Sequence, residues 1–447
     1  MPMATTTSPQ EQQASGAPPS PNTYRWVVVG ILWFICFFNY ADRLAIFSVF
    51  PLLQAKYGIN KAEQGLIGAA FTWVYAVGSP LGGYVGDRFP RKWVILGGLY
   101  VWSLVTGLTA QCTNFWQFMV VRGSEGLGET FYIPASMALI SDYHTPATRS
   151  RAIGLHQTSI YAGTIGGSAL AGWMGQRYGW QSPFWVLGIA GIILGLVVSA
   201  FIREPRRNEA ELHQQHGSAA EMVAVEAPLP MLAFIAEFMR TRTAVLLVAA
   251  FFGANLVGMV FLTWMPTFLK EKFHLNLAWA GLSATFFIQI ASMIGAALGG
   301  GVADRWSQRR AEGRILMQAA AVLLGAPFVF LCGYTRNPWM LVLAMSLFGL
   351  CKGIYDSNLT AAFYDVIAPA RRSTATGFMN LIGWIGAGLG SFGIGLAVDR
   401  GATMSAAISS TALIYFGVGL ILWFTAARTA PADIRAIRYA REKDLNR

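Results

Sequence analysis

The sequence predicts an all-α membrane protein with twelve transmembrane helices in two pseudo-symmetric six-helix bundles. Three observations predict it. The chain is 54% hydrophobic and only 12% charged, with a mean hydropathy of +0.46, whereas a soluble domain carries about 25% charged residues. Apolar runs such as 180–202 and 404–427 are long enough to cross a hydrocarbon core of roughly 30 Å, which takes about 20 helical residues. Backbone polar groups cannot stay unpaired in lipid, so such runs are helices. The third observation is a repeat: DYHTPATRSRAIGL at 142–155 returns as DVIAPARRSTATGF at 365–378. One ungapped register pairs Asp142 with Asp365, Arg149 with Arg372 and Gly154 with Gly377. Downstream it pairs Gly163 with Gly386, Gly167 with Gly390, Ser168 with Ser391 and Gly172 with Gly395, and upstream Gly126 with Gly349. A second duplication, GGYVGDRFPRK at 82–92 and GGVADRWSQRR at 300–310, agrees. Two related halves in a hydrophobic chain place a substrate site between them.

The elements follow in order. Residues 1–22 are rich in Ser, Thr, Pro and Gln without an apolar run, and read as a disordered tail and not a signal peptide. The N-terminal bundle, 23–202, holds spans at about 24–53, 63–85, 92–110, 115–141, 152–176 and 181–202. A polar connector, 203–240, contains REPRRNEAELHQQHG. The C-terminal bundle, 241–428, holds spans at about 243–269, 279–302, 314–334, 338–366, 373–398 and 404–427. Residues 429–447 form a basic tail, expected as a short surface helix.

Lys and Arg gather in the loops after the second, fourth, sixth, eighth and tenth spans and in the tail. The opposite face holds few, among them Lys56, Lys61, Arg177, Lys270 and Arg400. The positive-inside rule then puts both termini in the cytoplasm and the chain in the cell (inner) membrane. The net charge of +11 does not indicate nucleic acid, because the basic residues sit in short loops and form no separate domain. Cys36, Cys112, Cys332 and Cys351 lie in or near spans without CxxC spacing, so they read as packing residues and not as metal ligands or disulfides.

Ionisable residues inside spans are costly and mark function by default. The first span has Asp42 and Arg43 beside Asn39 and Tyr40, and the fourth has Arg122, Glu125 and Glu129. Arg122 and Glu129 are about two turns apart and share a face, with Glu125 placed to pair with Arg122. The repeat register puts Lys352 at the position of Glu129, with Tyr355, Asp356 and Asn358 close after it. Two readings stand for Lys352: a contact to an anionic substrate, or an i,i+4 pair with Asp356 that neutralises both. Tyr40, Trp73, Tyr75, Tyr132, His156, Gln157 and Tyr161 in the first half, with Asn255, Gln289, Asn380 and Trp384 in the second, are further cavity candidates. Such rings and amides suit a polyhydroxylated solute; His156 reads as structural. Asp87, Arg88, Arg91, Asp142 and Arg149, with Asp304, Arg305, Asp365 and Arg372, lie at helix ends on the basic face. They read as gating contacts, expected to shut the cytoplasmic side and to break as the protein turns inward. There is no G-x-x-x-x-G-K-[ST] loop and no His/Cys cluster with metal spacing, so neither ATP nor metal chemistry is indicated and no enzyme is expected.

These motifs resemble the major facilitator superfamily. Its signature after the second helix stands here as Gly83, Asp87, Arg88, Arg91 and Lys92, with a copy at Gly300, Asp304, Arg305, Arg309 and Arg310 that has one extra residue before the basic pair. NYADR at 39–43, AFTWVY at 70–75 and GLGETFYIP at 126–134 look like the anion:cation symporters, which carry hexuronates, hexonates and other organic anions with protons. GSPLGGYVGDR at 78–88, FWQFMVVRGSEGLGE at 115–129 and IREP at 202–205 look like spinster-type transporters, whose eukaryotic members move lysolipids and sphingoid phosphates. The symporter resemblance implies that Asp42 and Glu129 carry protons and that Arg43 helps to bind the substrate anion. Where sugar-acid symporters often carry a substrate-binding glutamine, this chain has Ile160, with Gln157 nearly one turn earlier.

The reading is a monomeric, proton-coupled symporter of a small organic anion such as a hexonate or hexuronate, working by alternating access with the proton as coupling ion and no other cofactor. Its substrate contacts are expected at Tyr40, Arg43, Tyr75, Arg122, Gln157, Tyr161, Lys352, Tyr355, Asn380 and Trp384. The alternative is a spinster-like carrier of lysolipid or another amphiphile.

Overall fold

The structure, a computed structural model, describes residues 21–204, 231–368 and 371–445. The expected tail up to residue 20 and the connector at 205–230 lie outside the described residues. The chain is helical throughout its described length. The first half comprises α1 (Pro21–Tyr57), α2 (Lys61–Arg88), α3 (Arg91–Thr109), α4 (Phe115–Glu129), α5 (Tyr132–Tyr143), α6 (Pro146–Tyr178) and α7 (Ser182–Phe201). A short helix, α8 (Met231–Arg240), precedes the second half. That half comprises α9 (Arg242–Phe273), α10 (Leu277–Arg309), α11 (Gly313–Tyr334), α12 (Pro338–Tyr364), α13 (Arg372–Asp399) and α14 (Met404–Phe424), and a π-helical turn leads into α15 (Ala430–Leu445). With α4 and α5 as two parts of one span, these make the twelve spans, while α8 and α15 lie outside them.

The turns on the face opposite the basic loops are tight because side chains close them. Asn60, Asn114, Asn276, Asn337 and Thr403 each cap the helix that follows, accepting from backbone N–H groups of its first turn. Asn60 and Glu63 form a reciprocal capping box, which satisfies two donors at once.

The fourth span, expected to be continuous over 115–141, is broken after Glu129. Pro134 has no N–H for the carbonyl of Thr130, and its ring crowds that carbonyl. The Thr130 hydroxyl turns back to the Gly126 and Tyr75 carbonyls instead. Among the described residues, ten helices are long and apolar enough to cross a membrane. The two spans that fall short are the fourth and fifth, which carry Arg122, Glu125, Glu129, His156 and Gln157 and can afford them only by facing protein.

The repeat survives at atomic detail. A β-carbon on Gly167 would lie 2.3 Å from the Ala41 backbone, and one on Gly390 would lie 2.3 Å from the Leu256 carbonyl oxygen. Both glycines therefore let α6 and α13 ride directly on the backbones of α1 and α9. The contact between halves is repeated too. Ser168 Oγ donates to the Gly281 carbonyl at 2.7 Å, and Ser391 Oγ donates to the Gly65 carbonyl at 3.1 Å. Each half thus hands the same serine to the other half's backbone.

Gly167→Ala is expected to lower stability by about 1–3 kcal/mol through overpacking. Gly154→Ala, whose β-carbon would meet nothing within 4 Å, should leave it unchanged. Thermal unfolding of the detergent-purified variants checks both, and equal melting temperatures would show that the close approach does not matter.

Candidate functional site at the bundle interface

Between the halves lies a cavity of about 420 Å³, within the roughly 300–1,000 Å³ usual for small-molecule sites. The first half contributes Tyr40 and Arg43 from α1 and Gln157, Ile160, Tyr161 and Thr164 from α6. The second contributes Asn255 and Gly258 from α9, Gln289 from α10, Lys352, Tyr355 and Asp356 from α12, Trp384 from α13 and Tyr415 from α14.

Arg43 forms the charged wall of the first half. Its Nη2 and Nε donate to Glu129 Oε2 at 2.6 and 3.1 Å. The rings of Tyr40, Phe71, Tyr75 and Trp384 stand 4.6, 4.7, 5.0 and 5.6 Å from the guanidinium carbon. Three of those rings belong to α1 and α2 and one to the other half, so the cation is caged across the interface. Its Nη1 is buried and, among the described residues, meets no hydrogen-bond acceptor.

Glu129 does not line the cavity; it lies behind Arg43 and is fully buried. Asp42 does not reach the cavity either. One residue before Arg43, it is turned about 100° round the helix towards Thr106, Arg122, Glu125 and Glu129. It is 0% exposed, with the Thr106 hydroxyl beside its carboxylate. Arg122 pairs with Glu125, as their spacing indicates, and its Nη2 donates to the Arg43 carbonyl at 3.1 Å. Five buried ionisable groups thus share one polar core: Asp42, Arg43, Arg122, Glu125 and Glu129.

In the second half Lys352 pairs with Asp356. Both expected roles of Lys352 are compatible with the geometry, because the pair itself lines the cavity, with side chains 26% and 36% exposed. The Tyr355 and Tyr415 hydroxyls also border this wall, buried and without a hydrogen-bond partner. Tyr415, Asp356 and Thr164 were not among the expected contacts. The signal for Tyr415 was a phenol inside an otherwise apolar run.

Of the expected substrate contacts, Tyr40, Arg43, Gln157, Tyr161, Lys352, Tyr355 and Trp384 meet at this cavity. Tyr75, Arg122 and Asn380 do not line it. Tyr75 stacks behind Arg43, 5.3 Å from Trp384. Tyr132 and His156 lie in the core, where the Tyr132 hydroxyl donates to the Leu32 carbonyl and meets His156 Nε2 at 2.9 Å.

The halves are joined at the face opposite the basic loops. Asp399 accepts from the backbone N–H groups of Lys61 and Ala62 at 3.2 and 2.7 Å. Lys61 Nζ reaches Glu271 at 2.6 Å, and Ala278 N–H donates to Gln176 at 3.2 Å. The cavity lining runs from Leu44 and Leu262 in mid-membrane to Gln157, Ala296 and Ser357 nearer the basic face, so the cavity is reached from that face. The structure is therefore open on the side where the gating pairs were expected to have broken, yet pairs there are intact. Arg91 is paired with Asp142 across α3 and α5. Arg314 holds Asp365 at 2.9 Å and Asp304 at 2.8 Å. Arg149 and Arg372 donate to the carbonyls of Ser141 and Tyr364, both at 3.2 Å. Arg88 lies over the ring of Tyr84 on its own helix, and Arg305 is exposed. The Asp87 side chain lies outside the described residues. The described contacts stay within one half, so rocking one half against the other leaves them unchanged. They brace each bundle, and the charged contacts described between bundles lie at Lys61, Glu271 and Asp399.

Residues 32–391 and 288–440 match the Major Facilitator Superfamily. The chain belongs to that superfamily and is a multi-pass membrane transporter. It is 28% identical over 426 residues to a protein named "Probable galactarate/D-glucarate transporter" from Bacillus subtilis (strain 168), covering 87% of this chain and 91% of the relative. A protein of the same description from Escherichia coli (strain K12) is 25% identical over 446 residues, covering 95% of this chain and 97% of the relative. Among solved structures, a bacterial homolog of the human lysosomal transporter Spinster superposes with a TM-score of 0.74 at 19% identity. The match covers 95% of this chain and 99% of that one, and it shows the shared fold.

Asp399→Asn combined with Glu271→Gln is expected to shift the population towards the state open at the opposite face. Spin labels on the α1–α2 and α9–α10 loops should report a longer distance distribution than in the parent. An unchanged distribution would mean that the lock lies elsewhere.

Proposed function

We propose that this protein is a proton-coupled symporter of a small sugar-acid anion, a hexonate, hexuronate or related acid, working by alternating access. The observation that carries it is the Arg43–Glu129 pair: a cavity-lining cation whose one acidic partner among the described residues stands behind it, outside the cavity lining. A substrate carboxylate that binds Arg43 competes with Glu129. A carboxylate in low dielectric that loses its cation must take up a proton or bear the cost of an isolated buried charge. Substrate binding and proton uptake are then two halves of one exchange, with Arg43 as the shared element.

Charge balance supports the same reading. The polar core holds two cations, Arg43 and Arg122, against three carboxylates, Asp42, Glu125 and Glu129. The set is neutral when it holds one proton, so it is suited to carrying protons. Asp42 and Glu129 are the proposed carriers, with Asp42 reached through the Arg122–Glu125 pair. The amides of Gln157, Asn255 and Gln289 line the cavity as partners for sugar hydroxyls, and the Trp384 ring offers an apolar face. The names of the relatives, galactarate and D-glucarate transporters, support a sugar acid as cargo. Each chain holds a complete cavity between its own halves, so a monomer suffices. The excess of Arg on the loops at the cavity mouth supports a cytoplasmic basic face, and with it a cell-membrane location and both termini inside.

Reconstituted in proteoliposomes with an imposed inward proton gradient, the protein is expected to accumulate a sugar acid from a panel of aldarates, hexonates, hexuronates and lysolipids. Glu129→Gln, which keeps the shape but not the charge, should lower gradient-driven uptake by about tenfold or more. Gradient-driven uptake unimpaired by Glu129→Gln would sink the coupling role. Lysolipid movement without sugar-acid uptake would replace the cargo.

A further inference from the structure

The two halves are built on one plan, and they differ where the cavity is charged. Gly163 and Gly167 of α6 seat on Phe37 and Ala41 of α1, and Gly386 and Gly390 of α13 seat on Phe252 and Leu256 of α9. This register makes Gly258 the counterpart of Arg43, and the repeat register makes Lys352 the counterpart of Glu129. In the first half an arginine and a glutamate close on each other. In the second half the arginine's place has no side chain, and the glutamate's place carries a cation. A β-carbon on Gly258 would lie 3.8 Å from Lys352 Cε, so the place where Arg43 begins in one half is bordered by the Lys352 side chain in the other, and both residues line the cavity. Two further side chains of the same cavity lie near Asp356, the partner of Lys352: Tyr355 and Tyr415, each 2% exposed, with hydroxyls that among the described residues have no hydrogen-bond partner. Buried hydroxyls in a native fold are nearly always paired, so these two point to a ligand that accepts from them.

We infer that Lys352, over Gly258 and beside the Tyr355 and Tyr415 hydroxyls, forms a second anion subsite, and that the cargo is a dicarboxylate held by Arg43 at one end and Lys352 at the other. This deepens the sugar-acid reading and rests on it. Each cation is held by a carboxylate of its own half, Arg43 by Glu129 and Lys352 by Asp356. Each exchanges that partner for one end of the cargo. Because the two cations belong to different halves, a dianion bridges the interface, whereas a monoanion of the same length engages only one wall.

The test compares uptake of radiolabelled D-glucarate and D-gluconate, which have the same carbon chain with two and one carboxylates. The parent protein is expected to prefer glucarate by about tenfold or more, the worth of one charged hydrogen bond. Lys352→Met should bring the glucarate-to-gluconate ratio close to one, and Lys352→Arg should keep the preference. Gly258→Leu, which fills the space without touching a charge, should also lower the ratio. Elution profiles of the purified variants separate these effects from misfolding. Equal uptake of the two acids by the parent, or a Lys352→Met variant that lowers both in proportion, overturns the subsite and leaves the sugar-acid reading standing. Uptake of neither acid overturns both.

Discussion

Burying a guanidinium within a membrane span is the constraint on which the rest of this structure depends. Arg43 sits at mid-height of α1, 3% exposed, where an unpaired charge would cost far more than the fold can supply. The surroundings answer that cost in three ways. Glu129 gives a charge-assisted bond, four aromatic rings give cation–π contact, and the residue borders a cavity that admits water or cargo. The answer constrains the fourth span in turn. Glu129 is the last residue of α4, directly before the Thr130–Phe131 turn that leads into α5. The carboxylate is thereby held at the end of a helix, with its position set by covalent geometry and not by a flexible loop.

The same economy explains how the halves move. Backbone approaches licensed by glycine, completed by one serine from each side, join the halves, and side chains pack across the same seam, Phe50 against Trp264 and Tyr75 against Trp384. Each bundle, by contrast, is braced internally on the basic face by Arg91 with Asp142 and by Arg314 with Asp365. Rigid bodies are what rocking requires, and here the ion pairs brace them.

Much of this was legible in the sequence, and the misses have physical reasons. The repeat register gave Ser168 and Ser391 as equivalents, and each makes the same bond to the opposite half. The Arg122–Glu125 pair was legible from a spacing of three. Arg43 and Glu129 are separated by 86 positions, so no periodicity joins them; the cost of an ionisable residue in a span marked each one, and nothing in the spacing made them a pair. Which way neighbouring residues face was not legible. Asp42 and Arg43 are adjacent, and the helical turn sends one into the core and the other to the cavity. Arg314 was missed because the duplicated motif draws the eye to Arg309 and Arg310, although the register that pairs Asp142 with Asp365 also pairs Arg91 with Arg314. Tyr415 was missed because its counterpart in that register is Ile192, so symmetry carried no hint of a polar group. The break at Thr130 was hidden because hydropathy averages over windows longer than one turn.

The strengths of the contacts indicate what decides the conformation. A carrier must hold its two states within a few kcal/mol of each other, or it would rest in one of them. The lock opposite the basic face is made from weak parts. Glu271 is 46% exposed in its pair with Lys61, and an exposed ion pair is worth only about 0–1 kcal/mol. Asp399 adds two bonds to the backbone at a helix start, where water competes. The pairs that back the cavity in the first half, Arg43 with Glu129 and Arg122 with Glu125, are far less exposed, down to 0% for the Glu129 side chain. Changes in their charge act in low dielectric, where electrostatic energies are several times larger. The balance between states therefore answers to what occupies the cavity and how its carboxylates are protonated, and the lock follows. A stronger lock would hold the protein shut whatever the cavity contained, which is a physical reason for its contacts to be few and partly wet.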